Sequence, residues 1–282
     1  MKISLITTCK SRLRYLQQAI PSWIDFNPFE IIVVDVACPQ GTKLWLNQNY
    51  PNIKVVYENH AGFNLAAARN KGAAAATGDH FLFVDADVVL NRDFHRWITD
   101  NFKAGSFLVR HQNNPFEGIH EQGTVLCRKE DFLKVNGYDE IIQEYGGEDL
   151  DIYSKFARAG VRRDNVPQQY FYAIEHSDEE RFLHHEMKDR TAVSMVTRAY
   201  QAAKTFLLAN SPDVYELPAA LRAQIWQTCK GILGGNAAEM PGKGDIVIKA
   251  TQGRWLPEPY YLSCELTLKL NVKVRQDANK LG

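Results

Sequence analysis

Residues 78–90, GDHFLFVDADVVL, constrain the fold more than any other stretch of this chain. A Gly78-Asp79 turn signal leads into the apolar run Phe81-Leu82-Phe83-Val84, which ends at Asp85-Ala86-Asp87. A short, unbroken apolar run after a turn predicts a strand covered on both faces, as in a parallel sheet. The ligand crevice of an open α/β sheet lies outside the carboxyl ends of its strands, so two carboxylates arrive where a ligand would bind. Their repulsion and lost hydration cost on the order of several kcal/mol unless positive charge lies between them. A divalent cation meets that need. Carboxylate oxygens suit Mg²⁺ or Mn²⁺, and an added imidazole tilts the choice toward Mn²⁺. The plainer alternative is a turn with two exposed aspartates.

The preceding sequence supports a parallel sheet. Strands are predicted over residues 2–8, 30–35 and 53–57, and helices over 11–26, 42–49 and 64–76. Strands alternating with helices through short connections call for right-handed βαβ units. Beyond Asp87 the pattern predicts helices over 92–102, 129–135 and 148–159, and strands over 106–111, 123–127 and 168–174, the first two in a mixed sheet. Helices over 178–209 and 218–233 follow, then a loop over 234–244. Residues 265–275 (ELTLKLNVKVR) alternate strictly, which predicts a half-buried antiparallel strand, with 246–250 as its partner.

Composition narrows the class. Lys+Arg and Asp+Glu both number 33 in 282 residues, so no net field favours nucleic acid. The five cysteines are widely spaced without a C-x-x-C pair, which argues against a disulfide framework and a structural zinc site. The opening run is too short for a signal peptide, and nowhere do eighteen apolar residues run together. A cytoplasmic protein is expected.

Three further groups carry candidate chemistry. Asp35 ends the second strand, expected beside Thr7 and Thr8 of the first, where a carboxylate can accept from a ribose hydroxyl or a base N–H; a turn or helix cap would explain it equally. Arg12 follows the first strand and Arg69 lies in the helix feeding the opening strand. Either could meet phosphate or carboxylate bidentately, although a lone arginine is more often solvated. Residues 145–151, YGGEDLD, place two glycines before three acids. Glycines permit close backbone approach to a ligand, and the N-terminal dipole of a helix keeps such acids ionised. His176 becomes a metal ligand only if its strand returns it beside Asp87. His184-His185 reads as a surface doublet.

In order and spacing, ISLITTCKSRLRYLQQAIPSW, EIIVVD, AAARNKGAAAATGD and FLFVDAD resemble the family-two nucleotide-sugar glycosyltransferases of GT-A fold. GYDEIIQEYGGEDLD is similar to the acceptor-side segment of the galactosyltransferase and chondroitin-polymerase type. The resemblance implies a Rossmann-like α/β domain over residues 1–180, with a nucleotide-sugar half about 1–90 and an acceptor half about 91–180. Residues 181–282 would form a helical and β-hairpin extension. It also implies nucleotide contacts, most simply to uridine, from Thr7, Arg12, Asp35, Arg69, Asp85 and Ala86. Mn²⁺ or Mg²⁺ would sit on Asp87, Asp85 and His176. Asp149 would be the catalytic base, with Glu148, Gly146 and Gly147 on the acceptor. Val36 stands where the family has a second acid.

The implied reaction is metal-dependent, inverting transfer from a UDP-sugar (galactose, N-acetylgalactosamine or N-acetylglucosamine) to a saccharide or glycolipid hydroxyl, with a loop at 115–122 excluding water. Peripheral association with the inner membrane face fits such acceptors. The alternatives are a haloacid-dehalogenase-type phosphatase, whose nucleophile also sits in a D-x-D after a buried strand, and a sugar-nucleotide-binding protein without turnover.

Overall fold

The computed structural model describes residues 1–59, 62–110, 123–209, 211, 213–234, 243–252 and 262–271. The loop expected at 115–122 lies outside them. The chain divides into two compact units, Met1–Glu186 and Met187–Gly282.

The first unit runs β1 (Ile3–Cys9), α1 (Leu13–Phe26), β2 (Glu30–Asp35), α2 (Thr42–Asn49), β3 (Lys54–Tyr57), α3 (Leu65–Ala75), β4 (His80–Phe83), β5 (Val88–Leu90), α4 (Phe94–Asn101), β6 (Ser106–Arg110), β7 (Val125–Arg128), α5 (Lys129–Lys134), α6 (Glu148–Arg158), β8 (Arg162–Val166), β9 (Phe171–Ala173) and α7 (Asp178–Phe182). Seven strands form one sheet in the order β3-β2-β1-β4-β7-β6-β8. The βαβ half is parallel, β7 runs antiparallel to both neighbours, and β8 is parallel to β6. This is the mainly parallel, helix-flanked α/β sheet that the apolar runs predict.

The core explains the register. Leu5, Ile32, Val33, Leu82 and Phe83 have no accessible surface; Leu5, Val33 and Leu82 share one buried cluster with Trp23 of α1, whose indole N–H donates to Val88 O at 2.9 Å. A one-residue slip of any central strand would turn a buried set outward.

Several local expectations change. The strand predicted from the apolar run 81–84 is β4, His80–Phe83, and Val88–Leu90 beyond the two aspartates forms β5 of a separate two-stranded ribbon with β9. Residues 168–170 form a short 3₁₀ turn ahead of β9. The expected helix at 178–209 is two helices, α7 capped by Ser177 and, in the second unit, α8 capped by Asp189. β8 carries the polar sequence RRDNV, with no apolar period to announce it. Asp35 lies opposite Cys9 rather than beside Thr7 and Thr8.

The second unit contains α8 (Arg190–Leu208), α9 (Ala219–Leu233), β10 (Lys243–Gln252) and β11 (Leu262–Asn271). The helices meet through a Tyr200–Trp226 ring contact of 5.4 Å, and Lys204 pairs with Glu216 at 2.8 Å. β10 and β11 pair antiparallel, Ile246 opposite Leu268 and Ile248 opposite Leu266. Among the described residues no helix is long and apolar enough to cross a membrane.

Candidate active site

The small residues of α3 determine what that helix can carry into the interior. A Cβ added at Gly72 would stand 2.5 Å from Ile6 Cγ2 and 3.1 Å from Val34 Cγ2, so the helix lies almost directly on β1 and β2. Asn64 caps it, accepting from Ala67 N at 3.0 Å. From this helix Asn70 clamps Tyr138, donating to its carbonyl at 3.0 Å and accepting from its N–H at 2.9 Å. Arg69, one residue earlier, extends inward over the Tyr138 ring with 2% of its side chain accessible.

Three carboxylates converge on Arg69. Its Nη2 donates to Asp85 Oδ1 at 2.7 Å, and its Nη1 donates to Asp149 Oδ1 at 2.6 Å and Glu148 Oε1 at 3.2 Å. Arg69, expected from the sequence among the nucleotide contacts, thus supplies the positive charge that the acids require and is buried beneath them. One guanidinium cannot neutralise three carboxylates. Burial, opposed by Arg69 and reinforced by Asp87 and Asp149, raises the Asp85 carboxyl to about 6. Burial and then Asp149 raise Glu148 to about 8, against Arg69. Glu148 is therefore mainly protonated at neutral pH, which removes one of the three negative charges.

The glycine pair positions two of these acids. Gly146 and Gly147 have φ of 81° and 99°, consecutive left-handed residues that a side chain would strain. They reverse the chain into α6, whose first turn holds Glu148, Asp149 and Asp151 at the positive end of the helix. Gly123 closes the other side: a Cβ there would come within 2.4 Å of Arg69 Nη2 and 2.5 Å of Asp85 Oδ2.

The β5–β9 ribbon delivers the histidine. Val88 pairs with Ala173, and Ile174 N donates to Asp87 O at 2.7 Å, continuing the ladder past the strand end. His176 Nε2 then lies 2.5 Å from Asp87 Oδ2, and its ring packs on Tyr15. A carboxylate oxygen and an imidazole nitrogen meeting at a cavity wall are a donor set that fits Mn²⁺ or Mg²⁺.

A cavity of about 110 Å³ opens here, lined by Asp85, Ala86, Asp87, His176, Arg12 and Gly146 among others. Thr8 lines it, whereas Thr7 is buried in β1. Asp35 does not line it: its oxygens accept from Cys38 N at 2.8 Å and Lys43 N at 2.7 Å, holding the turn into α2. Gly147, Glu148 and Asp149 are likewise absent from its wall and connect to it through Arg69 and Asp85. The His184-His185 doublet is not a surface pair: both line the cavity, His184 Nε2 lies 2.9 Å from Ser11 Oγ and His185 Nδ1 lies 3.1 Å from Gln143 O. Tyr145, at the head of the YGGEDLD group, lines it too; Lys10 and Glu144 also line it and escaped the sequence reading, although Lys10 stands in the same KSR cluster as Arg12.

Residues 4–122 match the family model described as Glycosyl transferase family 2, and residues 110–177 match one described as N-terminal domain of galactosyltransferase. A Bacillus subtilis (strain 168) protein named "Putative glycosyltransferase EpsE" is 24% identical over 261 residues, spanning 79% of this chain and 89% of its own. The fold is similar to that of S. aureus TarS 1-349 in complex with UDP-GlcNAc (TM-score 0.54, 18% identity, 82% of this chain and 72% of that one). It is also similar to the mannosyltransferase PcManGT from Pyrobaculum calidifontis in complex with GDP-Man and Mn²⁺ (0.53, 16%, 82% and 74%). The catalytic domain of Drosophila β1,4-galactosyltransferase 7, in complex with xylobiose, aligns at 0.50 with 19% identity over 70% of this chain and 79% of that one. The chain is therefore similar to the family-two glycosyltransferases over residues 4–122 and to the galactosyltransferases over residues 110–177, and its fold is the GT-A fold.

Proposed function

We propose that this chain transfers a sugar from a UDP-sugar to a saccharide or glycolipid hydroxyl, in one divalent-metal-dependent displacement that inverts the anomeric centre. The observation that carries the proposal is the pairing of two constellations. Asp87 meets His176 on the cavity wall, and Asp85 on that wall shares Arg69 with Asp149. The UDP and UDP-GlcNAc complexes of TarS support the donor class, and the Mn²⁺ complex of PcManGT supports the ion.

In this reading Asp87 and His176, with Asp85 directly or through water, hold Mn²⁺ or Mg²⁺ against the donor diphosphate. The bound ion supplies Lewis-acid neutralisation of the leaving group. Arg12 and Lys10 add positive charge to the wall that faces the phosphates. Asp149 is fixed through Oδ1 on Arg69, and its Oδ2 takes the proton from the attacking hydroxyl. Protonated Glu148 donates to an acceptor oxygen, which orients the sugar beside the base. Attack from the face opposite the departing diphosphate inverts the anomeric carbon, as in inverting glycoside hydrolysis. Domain limits near residues 1–180 and 181–282 complete the proposal.

Calorimetric titration with UDP, with GDP as control and with or without Mn²⁺, tests it. Mn²⁺-dependent UDP binding that disappears in Asp87→Ala is expected. Absence of nucleotide binding under every condition would overturn the reading and direct attention to phosphatase assays.

A further inference from the structure

Two thiols beside the cavity have no part in the transfer chemistry. Cys9 closes β1, and Cys38 sits in the turn after β2, where Ala37 takes a φ of 44° and Gly41 N donates to Cys38 O at 3.1 Å. Cys9 is in register with Asp35, and Val36 N donates to Cys9 O at 3.1 Å. The turn therefore folds back over the end of β1 and brings Cys38 against the backbone two residues after Cys9. Thr42 Oγ1 lies 3.2 Å from Cys9 Sγ, and Ser11 N donates to Cys38 Sγ at 3.2 Å. Both side chains are buried.

We propose that Cys9 and Cys38 are a redox-active dithiol that hydrogen peroxide closes to an intrachain disulfide, and that closure reshapes the cavity wall at residues 10–12. Their surroundings assign the roles. The neighbouring Cys9, against burial and with Thr42 and the Ser11 N–H, holds the Cys38 thiol down at about 5, so Cys38 is the thiolate near neutral pH. The neighbouring Cys38 and burial push the Cys9 thiol up and keep it protonated. The Cys38 thiolate attacks one peroxide oxygen, giving a sulfenic acid and hydroxide. Cys9 sulfur then attacks that sulfenic sulfur; its proton and the departing hydroxyl leave as water. Two thiols and one peroxide thus yield one disulfide and two waters.

The route to the cavity is short. A sulfur–sulfur bond is shorter than any thiol hydrogen bond, so closure draws Cys38 Sγ off the Ser11 N–H. Ser11 has a φ of 56° and its Oγ meets His184, while Lys10 Nζ donates to Val36 O at 3.2 Å within the same turn. Lys10, Arg12 and His184 all line the cavity.

The test is peroxide treatment of the full chain, alkylation of remaining thiols and non-reducing tryptic mapping. Peptides 3–10 and 15–43 each carry one cysteine. A linked pair lighter by two hydrogens than their sum, dissolved by dithiothreitol and absent in Cys9→Ser, is expected. In that variant a sulfenic-acid trap should label Cys38. Unreacted cysteines 9 and 38, or a link from either to another cysteine, would overturn the assignment. The disulfide stands apart from the transferase reading; its effect on UDP rests on it. Oxidised protein should bind UDP at least about tenfold more weakly than reduced protein, reversibly. Equal affinity in the two forms would overturn the coupling. No UDP binding by reduced protein would count against the transferase reading, while the peptide map would still decide the disulfide.

Discussion

Arg69→Met is the most informative single change in this fold. It keeps the apolar stem over Tyr138 and removes the only cation that contacts Asp85, Glu148 and Asp149 among the described residues. Breaking a buried ion pair from one side costs about 3–5 kcal/mol, because the remaining charge keeps its burial without a partner. Asp85 retains 29% of its side-chain surface, so water recovers part of that loss and about 3 kcal/mol is the expected deficit. Urea unfolding of metal-free protein at pH 7.5 measures it; with a slope near 2 kcal/mol/M the midpoint should fall by about 1.5 M. The deficit must also depend on pH. Arg69 lowers the Asp85 carboxyl, so without it the folded-state pKa of Asp85 rises further; above the unfolded value near 4 the native state then binds more protons than the unfolded chain, and stability falls as pH rises. The loss should therefore grow from pH 5 to pH 8. Arg69→Lys should rescue only in part, since an ammonium cannot span the three acids as a planar fork does. A deficit below about 1 kcal/mol, or one equal at pH 5 and pH 8, would refute the view that Arg69 is the charge on which the acids are assembled.

Four further outcomes follow from the same geometry. Asp149→Asn should lower kcat by about 10²–10⁴ while leaving UDP affinity within about twofold, read by steady-state kinetics beside calorimetry. His176→Ala should weaken Mn²⁺-dependent UDP binding by at least about tenfold and spare the fold, checked by the Mn²⁺ dependence of UDP titrations and by circular dichroism. Gly147→Ala forces a side chain to φ of 99° and should lower stability by about 1–3 kcal/mol in urea unfolding, with turnover falling as the GGED turn shifts. Glu148 is raised from 4.5 to about 8, so it withdraws stability progressively as pH rises through that window. Glu148→Gln should flatten the stability profile between pH 5 and pH 8 and raise the urea midpoint of metal-free protein at pH 8.5.

The parts of the fold readable from sequence are those where one physical signal dominates. EIIVVD and the helix at 42–49 were legible to the residue, because an apolar run and an apolar period leave one solution each. The polar edge strand RRDNV was not: it rests on β6 through backbone hydrogen bonds, which leave no mark on side-chain choice. At the site, acids after a buried strand and after a glycine pair announced themselves. Arg69 was visible, but its depth was not, since a lone arginine in an alanine-rich helix reads as solvated until Gly72 shows how closely that helix meets the sheet. His184 and His185 were misplaced because one continuous helix was expected where the chain breaks after Phe182.

The ribbon joining Val88 to Ala173 makes the Asp87–His176 pair a matter of contact order. Asp87 and His176 are separated by 89 positions, and every residue between them must be synthesised before they can meet. The first four parallel strands can pair locally, whereas this contact closes a long loop and contributes late. A nascent chain stopped before β9 would present a nearly finished parallel half of the sheet with Asp87 still without its imidazole partner. The cavity wall that the two residues share would thus be completed only by the last strand of the first unit.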